Sequence, residues 1–302
     1  MLCDAVCSVA ECTKAVRYEV IVVDNGSEDE SLDELDRAMS ALPFEKEKPS
    51  LSVIRLGVNT GFACANNRGL EAARGRNILF LNPDTLLKND AVSILSDYLD
   101  SHPETGVCGG NLIDKEGREQ FSYWPLLPGV RMEWNELLSN IPLKWRNRGA
   151  VSYNRTGKPK DVGYIIGADL MTRRSVLNEA GNFSEDFFLF YEETELCFRI
   201  RKAGYAIVSV PQARMVHLES QTIGSRLQRE KYLMPSRCIY LNKCTSKAEH
   251  ILADAILFVN CLLRLSWFTL IRNRDKMTFW KYRLSHISPA TTCKSSEAKM
   301  KS

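Results

Sequence analysis

No Cys-x-x-Cys pair occurs among the 10 cysteines, which lie scattered at Cys3, Cys7, Cys12, Cys64, Cys108, Cys197, Cys238, Cys244, Cys261 and Cys293. Without that spacing neither a zinc site nor a disulfide scaffold is indicated, and free thiols in a reducing cytosol are expected. Internal repeats are missing as well. So are low-complexity runs, apart from a polar, Ser/Lys-rich end of the chain that is expected to be disordered. No basic segment precedes an apolar run at the N terminus, where Asp4 and Glu11 stand, so no secretory leader is evident. Nucleic acid is not an expected partner, because the basic charge that exists comes with no recognised nucleic-acid-binding pattern.

What is present suits one large catalytic unit with an appended tail. The chain has 302 residues and a hydrophobic fraction of 44%, enough for a sizeable core. Its net charge of +3 hides an asymmetry. Residues 264–302 carry nine Lys/Arg against two Asp/Glu, so the remainder is net acidic. Just ahead of that basic tail, His250 to Ile271 is apolar and close to the ~20 residues that span a bilayer. Asp254, Asn260 and Arg264 interrupt it, and charges at membrane depth are costly. An interfacial helix with Trp267, Phe268 and a basic flank is the expectation, in peripheral contact with a membrane; packing on the rest of the chain is the competing reading.

Three segments carry chemistry. In Asn182 to Gly204, an aromatic run (Phe187, Phe188, Phe190, Tyr191) turns abruptly acidic at Glu192, Glu193 and Glu195. Leu196, Ile200 and Ala203 then continue at helical spacing. Carboxylates in the first turn of a helix meet its positive dipole end and its unpaired N–H groups. Further upstream, the β-branched run Val20 to Val23 ends in Asp24-Asn25-Gly26-Ser27, and Ile78 to Leu81 ends in Asn82-Pro83-Asp84. Acidic and turn residues at the carboxyl end of a buried strand are the usual layout of a ligand site in a parallel sheet. A carboxylate such as Asp84 can hold Mg²⁺ or Mn²⁺ and neutralise a diphosphate. Between these two segments, Asn59 to Gly69 offers Gly61 and Asn66-Asn67 for close backbone approach and polar contacts, and Arg68 for phosphate.

The order VVDNGSED, NTGFACANNRGLEAARG, ILFLNPDT and GADLMTRRSVLNEAGNFSEDFFLFYEETELCFRIRKAGY resembles the family 2 glycosyltransferases, over roughly residues 18 to 220. The nearest branch is the rhamnosyltransferase-like enzymes of bacterial surface polysaccharide assembly. The resemblance implies an α/β GT-A fold, with a mainly parallel central sheet flanked by helices and a C-terminal helical extension. It also implies inverting, metal-dependent transfer from a nucleoside diphosphate sugar to a glycan or polyprenyl-linked acceptor. By the same resemblance, Asp24 contacts the base or ribose, with Asn25 and Asp29 beside it. Gly61, Asn67, Arg68, Asn82 and Asp169 border the donor, and Asp84 binds Mg²⁺ or Mn²⁺ with His217 close to the metal or diphosphate. Glu192-Glu193 matches a Glu-Asp pair whose second member is the general base; Glu193 holds that place, although Glu192 could serve instead. The division implied is residues 1–225 as the catalytic domain and 226–302 as a basic helical extension, in a cytoplasmic enzyme at the inner face of the membrane.

One departure stands out. Members of the family begin with a buried strand, whereas Met1 to Ala10 reads as a helix. The first strand is therefore expected to be missing, with weakened nucleotide binding and an exposed sheet edge. The alternative function is a truncated, inactive relative that still binds nucleotide sugar. Residues 119–162, rich in Trp, Pro and basic side chains, are expected to form acceptor-side loops.

Overall fold

The computed structural model describes residues 1–41, 50–146, 151–218 and 226–287; the Ser/Lys-rich end of the chain and Cys293 lie outside them. Helix α1 (Leu2–Cys12) leads into β1 (Glu19–Asp24), α2 (Ser31–Ala41), β2 (Ser50–Arg55) and α3 (Phe62–Ala72). After β3 (Asn77–Leu81) and β4 (Thr85–Leu87) come α4 (Ala91–Ser101) and β5 (Thr105–Ile113). The 119–162 region contributes short elements instead of continuous loop: β6 (Tyr123–Trp124), α5 (Val130–Leu137), α6 (Ile141–Arg146) and β7 (Lys160–Asp161). The chain then runs through β8 (Tyr164–Ile165), β9 (Asp169–Arg173), α7 (Arg174–Ala180), α8 (Glu192–Lys202) and β10 (Ala206–His217). It closes with α9 (Arg226–Cys244), α10 (Lys247–Leu270) and α11 (Arg274–Ser285).

The larger sheet has the order β3-β9-β5-β10-β4, with β7 on the side of β10. It is mixed, not mainly parallel. β5 and β10 are parallel, whereas β9 runs against both β3 and β5, and β4 and β7 run against β10. Every residue of β5 is buried, so this strand has helices or strands on both faces and cannot show a half-polar alternation. Its crowding explains its glycines: a Cβ on Gly110 would lie 2.6 Å from the Ala213 carbonyl oxygen.

β1 and β2 form a separate parallel pair, in register from Glu19 opposite Ser50 to Asp24 opposite Arg55. Among the described residues no strand joins this pair to β3. The bridge is α1, the helix read from the N-terminal sequence. Its Val6 packs with Val22 and Leu35 over the pair, while Val9 packs with Leu87 and Leu95 over the larger sheet. The Ser8 hydroxyl also accepts a hydrogen bond from the Leu87 N–H (3.1 Å).

Of the described cysteines, eight are free thiols, and Cys238 is disulfide-bonded. The long α10 begins with a capping box, in which Ser246 and Glu249 satisfy each other's backbone N–H groups. It packs on α5 and α11, and Arg237 of α9 bridges its Asp254 to Glu133 of α5.

Candidate active site

Five chain segments converge at the carboxyl ends of the strands. The first is the turn after β1. The Asn25 side-chain oxygen accepts from the Thr60 N–H (2.8 Å) and hydroxyl (2.9 Å), and its amide donates to Asn59 and to the Gly61 carbonyl. Asn25 thereby binds the turn to the start of α3. Asp24 accepts from the Ser27 N–H, tightening the same turn (3.0 Å). Gly61 has a left-handed φ of 87°, and a Cβ there would lie 2.7 Å from the Phe188 carbonyl oxygen. Only glycine allows that approach, which brings the aromatic segment onto α3.

The second segment is Asn82-Pro83-Asp84 between β3 and β4. The Asn82 N–H donates to the Ala168 carbonyl (3.1 Å), tying the turn to the third segment, Gly167 to Asp169. The fourth is the end of β10, which pairs with β4 so that His217 stands opposite Thr85. This register brings His217 Nε2 within 3.4 Å of Asp84 Oδ1, with both side chains only partly exposed. Residues 133 positions apart thus meet as one oxygen and one nitrogen donor. Among the described residues no cluster of three or more His, Cys, Asp or Glu side chains could enclose a metal. The pair suits a cation that takes its remaining ligands from diphosphate oxygens and water, as Mg²⁺ and Mn²⁺ do at such sites.

The fifth segment is the start of α8. Phe190 and Tyr191 both lie in the left-handed region, at φ 67° and 72°, a costly conformation for aromatic residues that clusters at functional sites. They turn the chain so that Glu192 is buried and Glu193 is partly exposed beside Gly167. Burial pushes the Glu193 carboxyl up to about 7. Burial, and then the charge of Glu193, holds the Glu192 carboxyl well above the usual carboxylate range. Two adjacent carboxyls in a dry setting resist ionising together. Glu195, the third of the acidic run, is instead paired with Arg199 (2.8 Å), which also reaches the Ala180 and Asn182 carbonyls.

The remaining residues singled out in the sequence are more dispersed. Asp169 is fully buried, accepts from the Gly110 N–H, and has its carboxyl raised to about 7 by burial. Asn67 is buried and holds the Phe183 backbone and Glu185. Arg68 pairs with Glu71 on the outer side of α3, and Asp29 accepts from the Ser31 N–H at the start of α2. Of the aromatics, Phe187 is core, packed with Ile239 and Tyr240. Sequence reasoning missed the role of α9 here. Tyr232 stacks on Phe188 (centroids 6.0 Å apart), Arg229 lies over the Phe190 ring, and the Ser236 hydroxyl donates to the Leu189 carbonyl (2.8 Å).

The model of the family described as glycosyl transferase family 2 matches residues 1–181. The chain is 26% identical over 219 residues to an N-acetylglucosaminyl-diphospho-decaprenol L-rhamnosyltransferase of Mycobacterium tuberculosis, an alignment covering 68% of each protein. It is 26% identical over 149 residues to rhamnosyltransferase WbbL of Escherichia coli, covering 46% of this chain and 51% of that protein. Among solved structures it superposes on GalNAc-T7 with UDP, GalNAc and Mn²⁺ at a TM-score of 0.55 and 16% identity, over 78% of this chain and 44% of the other. It also superposes on a mannosyltransferase of Pyrobaculum calidifontis in complex with GDP-Man and Mn²⁺, at a TM-score of 0.52 and 15% identity, over 90% and 76% of the two chains. These structures share the GT-A fold, and the family model over residues 1–181 settles the membership: the chain belongs to glycosyl transferase family 2, with rhamnosyltransferases among its relatives.

Proposed function

We propose that this chain is an inverting transferase that moves a sugar from a nucleoside diphosphate donor to an acceptor hydroxyl in glycan assembly. The observation that carries the reading is the meeting of Asp84 with His217 at 3.4 Å, on a turn tied to the Gly167–Asp169 segment that Glu193 also borders. In a single displacement the acceptor oxygen attacks the anomeric carbon as the bond to the diphosphate breaks, so base and leaving group lie on opposite sides. Glu193 takes the acceptor proton. A carboxyl poised near neutral pH is matched to that task, and positioned bases contribute ~10²–10⁴-fold. Glu192, buried and held neutral, keeps a second negative charge away from the base.

Asp84 and His217 are the donors that would hold Mg²⁺ or Mn²⁺. A bound divalent ion would supply neutralisation of the diphosphate charge. The turn of Asp24 and Asn25, braced on Asn59, Thr60 and Gly61, receives the nucleoside. The decaprenol-linked substrate named for the mycobacterial relative favours a lipid-linked acceptor, and rhamnosyltransferases among the relatives favour a deoxyhexose donor. A second reading, a relative that binds nucleotide sugar without transferring it, is favoured by the isolation of the β1–β2 pair that carries Asp24.

The test is a thermal-shift panel of UDP, dTDP and GDP, each with and without Mn²⁺, followed by transfer assays. Asp84→Ala is expected to abolish the metal-dependent part of the shift. Glu193→Gln is expected to keep the shift and lower transfer by ~10²–10⁴-fold. If Glu192→Gln has that effect instead, the base is Glu192. A metal-dependent shift in a wild-type chain that transfers no sugar favours the second reading.

A further inference from the structure

Helix α10 carries apolar residues on both faces, with Ala253, Ile256, Leu257, Cys261 and Phe268 buried. On most surface helices the apolar stripe faces the core and the charged residues face water. Here the polar side chains turn inward. Asp254 binds Arg237 (2.7 Å) and lies 3.2 Å from the buried His250, and Arg237 also binds Glu133 of α5 (2.8 Å). Asn260 is buried, and Arg264 reaches the Ser139 hydroxyl (2.8 Å). The residues so anchored include all three that interrupt the apolar run in the sequence.

The outward face is apolar as well. Ile251, Phe258, Leu262, Leu263, Trp267 and Leu270 are each more than two-fifths exposed, and no exposed position from Ile251 to Leu270 is charged. At 1.5 Å per residue the stripe is about 28 Å long. Its C-terminal end is basic: Arg272, Arg274, Lys276 and Lys281 are exposed, against one carboxylate, Asp275, between residues 271 and 287. Trp145, 88% exposed, follows α5, which packs along α10.

We infer that this face of α10 is a docking surface for an anionic membrane leaflet, with the helix lying in the plane of the interface. An uncharged stripe edged by tryptophan and bordered by Lys/Arg matches the layered chemistry of such a surface, acyl chains inside and phosphate headgroups outside. The helix does not cross the bilayer, because its other side is bonded to α5 and α9 through buried charges that lipid would strand. The surface is separate from the sugar-transfer site, and its test does not depend on that reading.

The test uses the full chain in flotation with vesicles of phosphatidylcholine alone and of phosphatidylcholine mixed with phosphatidylglycerol. The wild type is expected to float with the mixed vesicles, and more weakly with neutral ones or at high salt. Leu263→Glu combined with Trp267→Glu is expected to lower the bound fraction by about tenfold or more, with melting temperature and nucleotide-induced shift unchanged. Arg274→Glu with Lys281→Glu, which leaves the apolar stripe intact, is expected to remove the preference for anionic vesicles. Three results overturn the inference: a wild type that floats with neither vesicle, bound protein that only detergent releases, or a dimer that the Leu263→Glu, Trp267→Glu variant converts to monomer.

Discussion

Asp169 shows how much a single carboxyl depends on which way its strand faces. It sits inside the sheet against Gly110, and burial raises its carboxyl to about 7, from about 3.9 in an unfolded chain. The folded state therefore holds a proton that the unfolded state has already lost. The resulting stabilisation is complete below about pH 4 and disappears as pH rises through about 7. Asp169→Asn removes this titration, so its melting temperature should fall less than the wild type's between about pH 5 and 8, as calorimetry would measure. Glu193 titrates with the same sign, so some slope persists in the variant. At this scale the sequence was informative where a residue ends a strand: Asp24, Asn25, Asn82 and Asp84 all stand at such ends in the structure. It was less informative within a strand or helix, where one position decides between pocket and interior. Asp169 faces β5, and Arg68 faces solvent beside Glu71. Composition and spacing do not encode that choice.

Among the elements, α5, α9 and α10 are joined by buried charges more than by apolar packing alone. Arg237 is 4% exposed and bridges Glu133, 104 positions away, to Asp254. Replacing it with leucine leaves two carboxylates buried without their cation, so Arg237→Leu should lose about 3–5 kcal/mol in urea unfolding. Helix α10 itself was legible from its apolar length, His250 to Ile271. What answers its polar residues was not, because Glu133 and Arg237 lie in segments whose own periodicity marks neither as buried. The same limit applied to the sheet. The strands were visible as apolar runs, but β9 sits antiparallel between β3 and β5 because of a long-range pairing that no local pattern specifies.

For the whole molecule, stability is unevenly distributed. β5 is buried throughout and pairs with β10 on either side of an irregularity between Ser209 and Arg214, whereas among the described residues β1 and β2 have only each other as hydrogen-bonded neighbours. A two-stranded pair is marginal without further support, here given by α1, α2 and α3. Hydrogen exchange followed by mass spectrometry should label residues 19–24 and 50–55 well before 105–113 and 206–217. Nucleotide should slow the first two segments selectively; equal protection of all four without nucleotide would contradict this ranking. The bridging part played by α1 was not legible from the helical start of the chain, since Val6 and Val9 serve two different cores.

The hold of α9 on residues 188–190 also bears on how such proteins can be recombined. Tyr232, Arg229 and Ser236 grip Phe188, Phe190 and Leu189, just ahead of the left-handed Tyr191 and of Glu192. The helix that follows the candidate-site segments in sequence is thus part of the jig that sets the carboxylate pair. A chimaera that takes its last three helices from a relative inherits that relative's jig, and with it a different placement of the carboxylate pair. Exchange of acceptor preference between family members should therefore succeed only when the aromatic segment and α9 travel together.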